Sequence, residues 1–307
     1  MTFKQFFVSR QIRRSFGGND KKRDAGQTTP QDISRYDDIL YGNDTRLKKW
    51  QYLDVYRPKA ALEADGSLKK LPVIISVHGG AWVYGDKDKY QWYCMRLAQR
   101  GFAVVNYSYR LAPEAKFPSS LQDTEKVFQW TVDNAEAYAF DTSNVFAVGD
   151  SAGAHLLAIY ASAITNPEYA KNFPFIKSKP FGIKALALNC GKYNLDPSLE
   201  KNPLMKMLVE VLLQSKITEE GLNLLNASAH VTKDFPPAFV MTCIGDFQYA
   251  QTPFMTKALE EAGVKYEYHC YASEEKPLWH VFHCDPHLEE AVVCNKDECN
   301  FFRSLMN

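Results

Sequence analysis

Short runs of apolar, β-branched residues alternate with longer helical patterns along most of this 307-residue chain. The run VIISV at 73–77 has the composition of a strand that is buried on both faces. Strands that alternate with helices usually pair in parallel, because each helix carries the chain back across the sheet. The pattern predicts an α/β fold with a mostly parallel central sheet covered by helices on both faces. The predicted strands are 50–56, 73–77, 103–107, 145–148, 185–188, 239–243 and 265–271, and the predicted helices are 88–100, 119–136, 152–166 and 252–262.

Two segments interrupt this alternation and divide the chain. Residues 17–35 are polar and rich in Gly, Asp, Lys, Gln and Thr, which predicts a loop. We therefore expect residues 1–35 to be an N-terminal arm and linker, and residues 36–307 to be the main domain. Residues 192–236 contain a helical pattern near 203–214 and predict a small cap insertion over the carboxyl edge of the sheet.

The end of the chain predicts a docked amphipathic helix. Asp285 and Pro286 are residue types favoured at the N-cap and first position of a helix. The apolar residues expected on the docked face are Leu288, Val292, Phe302 and Met306.

Charge and cysteine content limit the class of protein. The 36 basic and 36 acidic residues cancel, so no overall field attracts nucleic acid or an anionic membrane. No run reaches the roughly 18 consecutive apolar residues of a membrane span. The N-terminus lacks the continuous apolar core of a signal peptide, and seven dispersed cysteines suit reduced thiols. The sequence therefore predicts a cytoplasmic protein without nucleic-acid or membrane partners.

The basic N-terminal segment MTFKQFFVSRQIRRSF allows two interpretations. Its positive charge could suggest a helix at a membrane surface. The interpretation we favour is an arm that packs its phenylalanines on its own domain.

The stretch GDSAG at 149–153 carries the strongest chemical signal. It matches G-x-S-x-G, and it lies after a predicted strand and before a predicted helix, where that motif presents a nucleophilic serine. The turn lifts the hydroxyl above the sheet, and the helix N-terminus favours developing negative charge. Ser151 is therefore the candidate nucleophile.

A serine nucleophile needs a base and an acid that orients the base. Asp246 directly follows the strand at 239–243, and His280 lies in the loop after the last predicted strand. The order serine, acid, histidine is that of α/β-hydrolases. His283 is the alternative base, while His155 is expected to pack or cap locally.

The segment HGGAW at 78–82 directly follows strand 73–77 and predicts an oxyanion hole. The two glycines let the backbone curl so that amide groups face the nucleophile. The predicted donors are the N–H groups of Gly79, Gly80 and Ala152. His78 is expected to brace this loop.

A metal site near the C-terminus is the rival interpretation. Several histidines and cysteines lie close together in this part of the sequence, and side chains of these types can bind zinc. No C-x-x-C pair occurs, however, and burial as reduced thiols explains most of the cysteines. We therefore predict no metal. The residues concerned are His269, Cys270, His280, His283, Cys284, His287, Cys294 and Cys299.

Three motifs together resemble the hormone-sensitive-lipase-like esterases of the α/β-hydrolase fold, and bacterial acetyl- and feruloyl-esterase-like enzymes in particular. They are HGGAW, NYSYRLAPEAKFP at 106–118 and GDSAG, followed by a late histidine in WHVF. The resemblance implies the same nucleophile, acid, base and oxyanion donors as above. The chain departs from the family at Ala81, at Val281 and at Phe247 to Ala250, which affects the expected shape of the substrate pocket.

The sequence thus predicts a serine carboxylesterase acting on small, short-acyl esters without a cofactor. The alcohol half stays open among sugar acetates, xylan side chains, aryl esters and drug-like esters, and a homodimer is also left open. The alternatives are an amide or formamide hydrolase of the same fold, and a hydrolase-fold protein that only binds. Four aromatic residues flank the motifs and are candidate pocket residues: Trp82, Tyr84, Tyr249 and Trp279.

Overall fold

The computed structural model describes residues 3–177, 182–195, 202–272 and 277–306. Within these residues, eight strands form one sheet. All seven predicted strands overlap an observed strand, and the sequence analysis missed the first one. The strands are β1 (Ile33–Leu40), β2 (Tyr52–Pro58), β3 (Leu71–Val77), β4 (Ala103–Tyr107), β5 (Phe140–Asp150), β6 (Ala185–Asn189), β7 (Ala238–Cys243) and β8 (Tyr266–Tyr271).

The strand order is β1-β2-β4-β3-β5-β6-β7-β8. Strands β1 and β2 pair antiparallel, as do β2 and β4. Every pairing from β4 through β8 is parallel. The predicted mostly parallel sheet is therefore confirmed, and the loops that follow β3, β5, β7 and β8 lie at the same carboxyl edge.

Helices lie in each connection from β3 onward, whereas the connections from β1 to β2 and from β2 to β3 contain no α-helix. No helix of the described residues has both the length and the apolar character needed to cross a membrane. The helices are α1 (Phe3–Arg23), α2 (Lys87–Ala98), α3 (Ser119–Asp133), α4 (Ala152–Thr165), α5 (Pro167–Ala170), α6 (Pro203–Leu213), α7 (Glu219–Leu225), α8 (Thr252–Glu261) and α9 (Glu289–Arg303).

The sheet separates two apolar cores. Alternate residues of a strand point to opposite faces: Val73 and Ile75 of β3 join a core with α3 and α4, whereas Ile74 joins a core with α2 and α9. Burial of β3 on both faces is what its continuous apolar sequence predicts. The seven cysteines are all unpaired, and Cys270 is the exposed one.

The predicted loop at 17–35 is wrong at both ends. Helix α1 continues through Gly17 and Gly18 to Arg23, and β1 begins at Ile33. The side chains of Asp20 and Arg23 are held by the main body, since Tyr84 Oη donates to Asp20 and Arg23 donates to Lys89 O. These tertiary contacts stabilise a helix that the local sequence does not favour. The division at residue 35 therefore falls inside β1.

The predicted start of the last helix is also wrong. Helix α9 begins at Glu289 rather than at Pro286. The Asp285 carboxylate instead accepts from the His287 amide, which closes a turn from Asp285 to His287. Of the residues expected to dock, Phe302 is fully buried, but Val292 is 44% exposed.

The segment predicted as a cap contains α6 and α7. Its residues 196–201 lie outside the described residues. Helix α6 contacts α1, and Leu212 O accepts from the Phe117 amide, which fixes its end to the main body. Its role as a cap stays a prediction.

Candidate active site

Ser151 occupies a strained turn between β5 and α4. Its φ of 51° lies in the left-handed region, which is uncommon for a residue with a side chain. Gly153 makes the turn feasible, since a Cβ there would lie 2.0 Å from the Val77 carbonyl oxygen. The Ser151 amide donates to Asn189 O at 2.9 Å, which ties the turn to the end of β6.

The structure brings Ser151, His280 and Asp246 into one hydrogen-bonded chain. Ser151 Oγ lies 2.9 Å from His280 Nε2, and His280 Nδ1 lies 2.6 Å from Asp246 Oδ1. A carboxylate at Nδ1 fixes the proton on that nitrogen, so Nε2 accepts from the serine hydroxyl. Such an arrangement can remove the serine proton during attack on a carbonyl.

The Asp246 carboxylate is held by several hydrogen-bond donors of the protein. It accepts from His280, from the Gln248 amide at 2.7 Å and from the Thr242 hydroxyl at 3.1 Å. Burial alone would raise the pKa of Asp246, but the His280 and Gln248 hydrogen bonds outweigh it and lower that pKa below its usual value. The group therefore stays ionised beside the imidazole.

The other histidines considered from the sequence have different partners. His283 is buried, its ring packs edge-on against Tyr93, and burial lowers its pKa to about 3. His155 accepts from Trp82 Nε1 at 3.1 Å and donates to Leu225 O at 2.7 Å, the local packing role that was expected. The structure therefore places His280, and not His283, against Ser151.

One predicted oxyanion donor is contradicted by the loop after β3. The Gly79 amide donates to Asp150 Oδ1 at 3.1 Å and to Tyr90 Oη at 3.0 Å, so it is already used inside the protein. The following amides are different, because no described residue accepts a hydrogen bond from Gly80, Ala81 or Ala152. All three residues line the same cavity as Ser151.

The loop after β3 keeps an unusual backbone conformation. Gly80 has a φ of 121°, and a Cβ there would lie 2.2 Å from Tyr84 O. His78 stacks on Tyr109 with ring centroids 4.0 Å apart, and its Nδ1 lies 2.7 Å from Gly79 O. Burial lowers the pKa of His78 to about 4, so the ring is neutral. These contacts agree with a bracing role for His78.

A cavity of about 590 Å³ opens above Ser151 and His280. Trp82, Tyr84 and Trp279 line it, as the sequence predicted. Tyr249 does not: it begins a short 3₁₀ turn and lies beside Tyr268 of β8. The sequence analysis missed the apolar lining residues Phe16, Met205 and Phe247. A signal existed only for Phe247, which stands where the chain departs from the family.

Cys190 lies close to the acid and the base. One potential ligand atom each of Cys190, Asp246 and His280 lies within 4.8 Å of the others, and the described part of the chain holds no other such group of His, Cys or acidic side chains. The Asp246 oxygens already accept from His280, the Gln248 amide and Thr242. These hydrogen bonds fit a carboxylate that orients an imidazole better than they fit a carboxylate that binds a metal ion.

Comparison with known proteins identifies the group to which this chain is similar. Residues 53–258 match the family model BD-FAE. Esterase LipC of Mycobacterium tuberculosis is 30% identical over 209 residues, which cover 66% of this chain and 49% of LipC. Versiconal hemiacetal acetate esterase of Dothistroma septosporum is 27% identical over 232 residues, covering 70% of this chain and 68% of that protein. The match thus spans about half the length of LipC.

A solved structure agrees over nearly the whole length. Esterase B from Lactobacillus rhamnosis, in a crystal structure with a C4-C4 SN3 tributyrin phosphonate, superposes with a TM-score of 0.87 and 26% identity, covering 98% of this chain and 95% of that one. The expected α/β-hydrolase fold and the resemblance to hormone-sensitive-lipase-like esterases are confirmed. This chain belongs to the BD-FAE family of α/β-hydrolases.

Proposed function

We propose that this chain is a serine carboxylesterase that hydrolyses small esters with short acyl groups. The observation that carries the proposal is the continuous hydrogen-bonded chain from Asp246 through His280 to Ser151, at a cavity of about 590 Å³. That volume is typical of small-molecule sites. The similarity to an acetate esterase and to LipC supports an ester substrate.

The proposed reaction has two halves. Ser151 Oγ attacks the ester carbonyl carbon while His280 Nε2 takes the hydroxyl proton, and the Asp246 carboxylate stabilises the resulting imidazolium. The imidazolium then donates its proton to the departing alkoxide, which leaves an acyl group on Ser151. Water, deprotonated by His280, attacks that acyl group and releases the acid. No step needs a metal or an organic cofactor.

The oxyanion of each tetrahedral intermediate needs amide donors. We assign them to Gly80, Ala81 and Ala152, since the Gly79 amide is used by Asp150 and Tyr90. The Ala152 amide also belongs to the first turn of α4, where the helix dipole favours negative charge.

Dispersed, unpaired cysteines support our proposal that the protein works in a reducing compartment such as the cytoplasm.

The test is a series of p-nitrophenyl esters from acetate to dodecanoate, with Ser151→Ala in parallel. We expect kcat/KM to be highest for acetate to butyrate, and Ser151→Ala to lower it at least about 10³-fold because the nucleophile is lost. An organophosphonate should add its mass at Ser151 of the unmodified protein and should not label the variant.

The contrary outcomes point in definite directions. If the folded protein turns over no ester but hydrolyses an anilide or a formamide, the amidase alternative replaces the esterase. If it is neither active nor labelled at Ser151, the chain is a binding protein of hydrolase fold.

A further inference from the structure

Phe247 is an exposed aromatic ring in contact with the base. It directly follows the Asp246 turn, and 70% of its surface is exposed, the largest fraction among the large apolar residues that the structure describes. Its ring centroid lies 4.1 Å from that of His280. Exposing so large an apolar group at a catalytic base costs solvation free energy, which a bound ligand could recover.

Trp279 extends this apolar surface on the other side of the base. It precedes His280 in the chain, is 51% exposed and, like Phe247, lines the cavity. Phe247 and Trp279 together are called the aromatic rim here. Phe16 of α1 and Met205 of α6 line the same cavity, so its wall holds further apolar side chains besides the rim.

The chemistry of the proposed reaction decides which half of the ester meets the rim. The carbonyl oxygen must face the amides of the loop after β3 and of Ala152. The alcohol oxygen must instead come within hydrogen-bond reach of His280 Nε2, since that nitrogen returns the proton to the alkoxide. The substituent on the alcohol oxygen therefore lies beside the residues that flank His280.

Resting on the proposed carboxylesterase function, we propose that the aromatic rim is the alcohol subsite and that it selects esters of aromatic alcohols. Offset or edge-on contacts with Phe247 and Trp279 favour a flat π-system over an alkyl group of equal size. Arg23 in the cavity wall is paired with Asp20 and Asp24, so a charged alcohol gains little from that residue. Phe16 and Met205 add apolar surface to a wall that also holds the polar Asn19, Lys22 and Gln248, so a polyhydroxylated ring is disfavoured at the aromatic rim and not throughout the cavity.

The test compares benzyl acetate, cyclohexylmethyl acetate and ethyl acetate. All three share the acyl group and a primary alcohol, and the first two have similar size but only one has a π-face. We expect the unmodified protein to favour benzyl over cyclohexylmethyl acetate by about three- to tenfold in kcat/KM. Phe247→Leu and Trp279→Leu should each reduce the ratio of benzyl to ethyl acetate by a similar factor.

Tyr268→Leu is the matched control, because Tyr268 is an aromatic residue with 46% exposure that does not line the cavity. It should leave all three rates within about twofold. Equal kcat/KM for benzyl and cyclohexylmethyl acetate would overturn the inference. So would a Phe247→Leu loss that is the same for all three esters, since the ring would then act only through His280.

The two proposals fail in different ways. If no acetate, including p-nitrophenyl acetate, is hydrolysed, the carboxylesterase proposal fails. If the acetates are hydrolysed without preference for the aromatic alcohol, only the alcohol subsite fails. Preference for an acetylated sugar over benzyl acetate would also overturn it.

Discussion

Asp150 is buried beside Ser151, yet it takes no part in the proposed proton transfers. Its two oxygens accept from Tyr90 Oη at 2.7 Å and from the Gly79 amide at 3.1 Å. Burial raises the pKa of Asp150 to about 6, although the Tyr90 hydrogen bond opposes this. Asp150 thus anchors the loop whose next two amides are the proposed oxyanion donors, which makes it a positioning residue.

Asp150→Asn should therefore lower kcat and leave KM nearly unchanged. Asparagine keeps one accepting oxygen, while its amide nitrogen donates and accepts nothing, so one of the two hydrogen bonds from Gly79 and Tyr90 is lost. The loop then has one anchor fewer, and its amides point less accurately at the oxyanion. We expect kcat on p-nitrophenyl acetate to fall about tenfold, less than the loss of a donor itself, with KM within about twofold. Tyr90→Phe, which keeps the carboxylate, should have a smaller effect of the same kind. A rise in KM at constant kcat would contradict this role.

At this scale, the sequence identified the side chains better than the backbone groups. The structure brings together Ser151, Asp246 and His280, the side chains that a motif or a strand end indicated. The misassigned Gly79 shows the limit. Which of several consecutive amides faces the cavity depends on backbone torsions, here a φ of 121° at Gly80 and of 52° at Ala81. No pattern of residue types encodes that choice when Tyr90 and Asp150 compete for the first amide.

Among the elements, α1 is one that the sequence described poorly, and β1 was missed altogether. Arg13 donates to Val83 O at 2.7 Å and to Ala112 O at 3.1 Å, and it forms an ion pair with Glu114 at 2.6 Å. Partners so distant in sequence cannot be inferred from local composition. The polar, glycine-containing segment 17–23 therefore predicted a loop, although it is the end of α1. The helices α2, α3, α4 and α8 were predicted well because their apolar periodicity is local.

Arg13→Lys should loosen α1 and the segment that it holds. Lysine keeps the charge but cannot reach two carbonyls and a carboxylate at once, since it lacks the guanidinium fork. We expect faster amide hydrogen exchange in α1 and in residues 80–84, and a loss in kcat of about three- to tenfold. Arg14→Lys, at an exposed neighbour, should change neither. Unchanged exchange in 80–84 with a normal kcat would show that α1 does not hold this loop.

At the scale of the whole molecule, the buried carboxylate of Glu298 links helices α9 and α2 to strand β6. Glu298 of α9 is fully buried and accepts from Tyr93 of α2 at 2.9 Å and from Asn189 of β6 at 2.7 Å. The Asn189 carbonyl in turn accepts from the Ser151 amide. Burial raises the pKa of Glu298 from 4.5 to about 7, even though both hydrogen bonds lower it.

This raised pKa fixes the sign of a pH effect on stability. The folded state binds the Glu298 proton more tightly than the unfolded state does, so the stabilisation is complete below about pH 4.5 and is lost as pH rises through about 7. The loss is on the order of 3 kcal/mol in the free energy of unfolding. Glu298→Gln does not titrate, so it should lose less stability than the unmodified protein over this range.

Urea unfolding of both proteins at pH 5 and pH 8 measures this difference. We expect the stability of the unmodified protein relative to Glu298→Gln to fall by about 2–3 kcal/mol between the two pH values, because titrations common to both proteins cancel. Glu260→Gln, at an exposed site on α8, should follow the unmodified protein at both pH values. If Glu298→Gln also followed it, Glu298 would not titrate in this range, and another group would have to explain any pH dependence of the fold.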